Sequence, residues 1–150
     1  MAPRRSIADA SDASCRLAPA PQAATHARAW VRPLLATWAL DGLGPDVTVV
    51  LGELVTNAVR HGQGEVRLRV SRTRDGVRVE VADSGSARVL MQEQRDPPAP
   101  SGRGLVLVDR LSSSWGVDYG ADGGKVVWAE LVTDAEVSAE SAAEGSGAPL

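Results

Sequence analysis

The sequence predicts an α/β (α+β) two-layer sandwich: a mixed, mostly antiparallel sheet with helices on one face. Three observations predict it. Apolar residues recur at helical spacing from Gln22 to Leu40 and again from Asp46 to His61. Two pairs of segments with period-two alternation flank glycine-containing turns, the pattern of hairpins. Each helix and each strand is apolar on one side only, and such surfaces are buried by packing the two layers together.

Taken in order, Ser14 to Pro19 reads as a short edge strand. The first helix places Ala23, Ala27, Trp30, Val31, Leu34, Leu35 and Trp38 on one stripe, and Pro33 should kink it or remove one hydrogen bond. Asp41-Gly-Leu-Gly-Pro45 is a stop-and-turn signal. The second helix then buries Val47, Val50, Leu51, Leu54, Val55 and Ala58, and Gly62 is a natural residue to follow its last turn. Val66, Leu68 and Val70 alternate with Arg67, Arg69 and Ser71, while Val77, Val79 and Val81 alternate with Arg78 and Glu80. Asp75-Gly76 lies between them as a hairpin turn. Residues 84–101 have no period and contain Pro97, Pro98 and Pro100; a connection of this length in a small domain is usually functional or mobile. Gly104 to Leu111 is helical with Leu105, Val108 and Leu111 on one face. Trp115 to Tyr119 and Lys125 to Val132 form the second hairpin across Gly120-Ala-Asp-Gly-Gly124.

The chain has 150 residues, enough for one domain with a real core, and 43% of them are hydrophobic. Residues 1–12 are small and polar and are expected to be disordered; 134–150, rich in Ala, Glu, Ser and Gly, read as a flexible tail. The domain is then 13–133. A net charge of −3 gives no drive toward nucleic acid or an acidic membrane surface. Lys125 is the only lysine among 16 basic residues, and this Arg bias, with abundant Ala and Gly, is the composition of a high-GC bacterial genome. The single Cys15 excludes an internal disulfide and a cysteine-based zinc site. Arg4-Arg5 is followed by no apolar h-region, and no apolar run is long enough to span a bilayer, so a cytoplasmic soluble protein is expected.

The chemistry lies in three places. Glu53 and Asn57 are four apart and project from one side of a helix, where a carboxylate and an amide oxygen can hold a base beside a hard cation. Asp83-Ser84-Gly85 follows the alternating strand. If the alternation continues, Asp83 faces the core, and its carboxylate needs a donor, either Ser84 and nearby backbone N–H groups or the exocyclic amine of an adenine. The other reading ends the strand at Val81 and lets Asp83 start an Asx-turn. Gly102-Arg103-Gly104 opens a helix and can gather N–H groups around an anion. It is no P-loop, since no Gly-Lys-Ser/Thr is present. His26 and His61 lack metal-ligand spacing.

Together these boxes resemble the GHKL ATP-binding family. Glu53-Leu-Val-Thr-Asn57-Ala-Val-Arg-His-Gly62 is similar to its N-box, Asp83-Ser84-Gly85 to its first glycine box, and Gly102-Arg103-Gly104-Leu105 to its second. The length, the ending Trp115-Gly-Val…Gly124-Lys-Val-Val-Trp128-Ala-Glu-Leu131, and Trp30 with Arg28 and Arg32 resemble the stand-alone anti-sigma-factor serine kinases. The resemblance implies a histidine-kinase-like ATPase fold and ATP with Mg²⁺ as cofactors. It implies that Asn57 ligates Mg²⁺, Glu53 is the general base, Asp83 bonds the adenine amine and Gly85 lets the ring approach. Gly102, Arg103, Gly104 and Leu105 would close on the phosphates as part of a lid over 84–104. Many members carry Thr early in the last strand near the adenine-binding Asp; the corresponding position here is read as Val126. No phosphoacceptor-histidine domain or transmembrane sensor is read in the chain.

Three functions follow as expectations. The first is an ATP-dependent protein serine/threonine kinase that phosphorylates an anti-anti-sigma (antagonist) protein and sequesters a sigma factor, alone or as a homodimer. The second is a non-catalytic nucleotide- or partner-binding module. The third is a lid-gated ATPase. The retained Glu53 favours the first.

Overall fold

The computed structural model describes residues 11–85, 102–121 and 123–133, with only the backbone over 102–104. The leading and trailing segments, the connection 86–101 and residue 122 lie outside the described residues, and with them most of the expected lid, residues 1–10 of the expected leading tail and the whole expected trailing tail.

The elements run β1 (Asp12–Leu17), α1 (Ala23–Thr37), a 3-10 turn (Asp41–Leu43), α2 (Gly44–His61), β2 (Val66–Arg72), β3 (Gly76–Asp83), α3 (Gly102–Leu111), β4 (Ser114–Tyr119) and β5 (Lys125–Val132). The edge strand begins earlier than expected: Asp12 pairs with Ser71, and the Ser11 carbonyl accepts the Arg72 N–H at 2.8 Å. The sheet order is β1-β2-β3-β5-β4. All four pairings are antiparallel, so the mostly antiparallel sheet is antiparallel throughout its described strands.

α1 runs through Pro33. Pro33 and Ala29 both face solvent, so the carbonyl that loses its N–H partner is reached by water. The helix stops when Ala39 takes φ 56° and the Leu40 N–H turns back to the Leu35 carbonyl at 2.7 Å. α2 starts earlier than Asp46, because Pro45 has its φ already set for a first turn and needs no N–H partner there. Asp46 in the first turn and Arg60 and His61 in the last complement the helix dipole.

One face of the sheet and the inner stripes of the helices form the core. Val66, Leu68 and Val70 of β2, Val77, Val79 and Val81 of β3, and Val127, Ala129 and Leu131 of β5 are buried against Val31, Leu35, Val47, Leu51, Leu54 and Val55. The whole expected stripe of α2 is buried. Half-buried Cys15 packs on the core from β1, and burial pushes its thiol pKa up. Among the described residues the opposite face of the sheet carries no helix. Gly76 is the first residue of β3 rather than part of the turn, which is centred on Arg74-Asp75 between the paired Thr73 and Gly76. A side chain at Gly76 would collide with the Leu131 carbonyl of β5, so this glycine permits close approach of two strands.

Candidate functional site

The site is built where the end of α2 meets the end of β3. β3 keeps its alternation to its last residue, so Asp83 follows Val77, Val79 and Val81 onto the core face and is only 1% exposed. The strand does not end at Val81, yet the Asx-turn of the other reading still forms at its last residue. The residue ends a core-facing strand, and its Oδ1 also accepts the Gly85 N–H at 2.7 Å, closing an Asx-turn.

The chain leaving α2 wraps the same carboxylate. Gln63 N–H reaches Asp83 Oδ1 at 3.4 Å, and the Ser84 N–H donates to the Gln63 carbonyl at 2.9 Å. Gly62 follows the last turn of α2 as expected, with φ of −94° and ψ of −169°, which is extended backbone open to any residue. Glycine is needed there for room. A Cβ at Gly62 would run into Asp83 Cγ and the Ala58 carbonyl. Gly85 is buried, and a Cβ on it would press on the Gln63 nitrogen at 3.0 Å and on Asp83 Oδ1 at 3.1 Å. The end of α2 and the turn 83–85 are thus interlocked through backbone groups and the Asp83 carboxylate.

Glu53 and Asn57 are half-buried on α2, one turn apart. Glu53 lies eight residues before the helix end, about 12 Å along the axis at 1.5 Å per residue. Among the described residues neither makes a side-chain hydrogen bond or ion pair, which leaves both free for other partners. α3 packs against α2 and begins at Gly102, so Gly102, Arg103 and Gly104 form its first turn. Leu105 is buried at 3% exposure and serves packing at the base of that turn. The N-terminus of α3 can present unpaired N–H groups to an anion.

One member of the site was missed. The register of β3 on β5 pairs Asp83 with Lys125, and Ala82 with Val126. Val126 therefore points to the outer face of the sheet, and the position early in the last strand that faces Asp83 is Lys125. The assignment of Val126 to that position is corrected by one residue. Lys125 Nζ lies 3.0 Å from Asp83 Oδ2 and 3.1 Å from Oδ1, with the two side chains 3% and 1% exposed. They are the two buried charged residues among the described ones. The signal was present: Lys125 shares the parity of Val127, Ala129 and Leu131, all core-facing.

A helix with free Glu53 and Asn57, a buried aspartate at a strand end and a glycine-opened helix form one arrangement. The sequence profile described as histidine kinase-like ATPase domain matches residues 16–131. The chain belongs to the histidine kinase-like ATPase domain family. No curated protein matches it. A similar solved structure is that of the RsbU and RsbW domains of Rv1364c from Mycobacterium tuberculosis, at 23% identity and a TM-score of 0.59. The match covers 84% of this chain and 35% of that one. At this identity the likeness speaks for the fold, which the antiparallel sheet and one-sided helices already display. Among the described residues no helix is long and apolar enough to cross a membrane.

Proposed function

We propose that the chain is an ATP-dependent regulatory protein serine/threonine kinase of the anti-sigma type. The observation that carries this reading is the interlock of Asp83 and Gly85 with the end of the helix that bears Glu53 and Asn57, inside a histidine kinase-like ATPase domain. The similarity to a chain containing an RsbW domain supports the regulatory class. The partners in this reading are an anti-anti-sigma protein as phosphate acceptor and a sigma factor as the sequestered protein, with a homodimer as the assembly that would present both surfaces. A cytoplasmic location goes with those partners.

The donor set fits the nucleotide on the metal and phosphate side. Asn57 offers a free amide oxygen, the kind of hard ligand Mg²⁺ takes. Bound there, Mg²⁺ would supply charge neutralisation for the phosphates, the main demand of phosphoryl transfer. Gly102 and Gly104 allow backbone N–H groups of the α3 terminus to approach phosphate oxygens. Asp83 faces the base. Glu53 takes the proton of an incoming serine hydroxyl as its oxygen bonds to the γ-phosphorus and ADP leaves; the proton ends on the Glu53 carboxylate.

Transfer of labelled γ-phosphate to candidate antagonists tests this. Removing a general base costs about 10²–10⁴-fold in rate. Glu53→Ala should keep Mg-ATP and partner binding and lose transfer, while Asn57→Ala should lose Mg-dependent nucleotide binding. Transfer by Glu53→Ala at the parent rate would make Glu53 structural. A second reading, a partner-binding module with little turnover, draws on one observation: Asp83 is already neutralised by Lys125.

A further inference from the structure

The only lysine of the chain lies inside it. Fifteen arginines provide every other basic side chain, yet the one compact ammonium is buried on the carboxylate read as the base-recognising group. Strand register fixes it there, since Asp83 and Lys125 are directly opposed on the core face.

Counting donors and acceptors shows what this pair presents. Asp83 Oδ1 accepts from Gly85 N–H at 2.7 Å, Gln63 N–H at 3.4 Å and Lys125 Nζ at 3.1 Å, and is saturated. Oδ2 accepts from Lys125 at 3.0 Å and, with two lone pairs per carboxylate oxygen, keeps one position open. The ammonium has three protons. Two serve the carboxylate, and the third faces the Gly85 carbonyl at 3.5 Å, a long contact that a better acceptor would replace. A base edge arriving here meets one acceptor and one donor side by side.

A 6-aminopurine matches that pair: its amine donates to Oδ2 and its N1 accepts from Nζ. A 6-oxopurine matches it in the opposite sense, with N1–H donating to Oδ2 and O6 accepting from Nζ. Without the lysine, O6 would face a carboxylate and be repelled, and only the amino base would be well received. We infer that Lys125 is a selectivity residue that relaxes discrimination at the purine 6-position, so that the site takes 6-oxopurine triphosphates along with ATP. The inference rests on the nucleotide reading above, with Asp83 at the base.

Calorimetric titration of the full chain with Mg²⁺ and either ATP or inosine triphosphate tests it, because the two nucleotides differ only at the 6-position and the N1 proton that follows. The parent chain should bind them within about tenfold of each other, and Lys125→Met should favour ATP by at least about tenfold more than the parent does, since a buried charged group left without its partner rejects the mismatched ligand. If Lys125→Met fails to fold, Lys125→Thr, which keeps a hydroxyl donor directly opposite Asp83 in the register, replaces it with the same direction of change expected. An ATP preference in the parent beyond about tenfold, or a ratio unchanged in the variant, overturns the inference and leaves the nucleotide reading standing. Binding of neither nucleotide by the folded parent overturns both.

Discussion

Strands β3 and β5 carry an ion-paired cluster on each face, and the two clusters differ in what surrounds them. On the core face Asp83 and Lys125 are enclosed, flanked by backbone donors and packed beneath the helices. On the outer face Arg78 bonds Glu80 at 3.3 Å and Glu130 at 3.0 Å, and its guanidinium lies 4.2 Å from the Trp128 ring centroid. That cluster is partly solvated and adjoins an open groove of about 600 Å³ lined by Arg16, Arg67, Arg69 and Val126. Charged residues on opposite faces of the same two strands do different work. The outer cluster covers the indole and orders a surface, while the inner pair removes two charges from water at the end of the core. Such a removal is costly and persists only with close partners. A buried polar pair that contributes little net stability is the place to look for a binding role.

The largest effect expected from breaking this contrast is on the inner face. Lys125→Ala leaves the Asp83 carboxylate buried with backbone donors only, and should cost about 3–5 kcal/mol in denaturant unfolding. Replacing Asp83 and Lys125 together by leucine should recover much of that loss, because no uncompensated charge remains. A single-variant cost below about 1 kcal/mol would mean the site is wetter than the structure shows. Gly62→Ala comes next. Its new methyl meets Asp83 Cγ and the Ala58 carbonyl, and overpacking of this kind typically costs about 1–3 kcal/mol. It should also weaken nucleotide binding, since Asp83 is the group displaced; normal stability and normal binding together would show that the loop simply moves aside. Arg78→Ala should cost only about 1 kcal/mol, the combined worth of a partly exposed ion pair and one cation–π contact. A larger loss than for Lys125→Ala would reverse the comparison.

The same contrast marks what the sequence made legible. Period-two and helical spacing placed the core stripes of α1, α2, β2, β3 and β5, because each records burial directly in residue type. The interior proline removes one hydrogen bond of α1 as expected, and the helix continues because that side faces water. The start of β5 was misread by one residue, from Val126 to Lys125. A strand paired one residue out of step exchanges its two faces, and register is a property of the partner strand. Gly62 was legible as a glycine requirement but not as its cause: the demand comes from Asp83, twenty-one residues away in sequence. Asp83 itself was readable because the alternation of β3 runs unbroken into it. Its partner required the sheet.

The central claim is that the core-face end of β3, closed by the end of α2, receives the base of a nucleotide. Its most direct test is titration of Mg-ATP into the parent chain and into Asp83→Asn, with circular dichroism confirming that both are folded. The amide can keep the Gly85 N–H bond through its oxygen but loses the charge that attracts both Lys125 and a base amine. The account predicts measurable binding by the parent and an affinity lower by at least about tenfold in the variant, the usual consequence of losing one charge-assisted hydrogen bond. Equal affinity in the two folded proteins would contradict it.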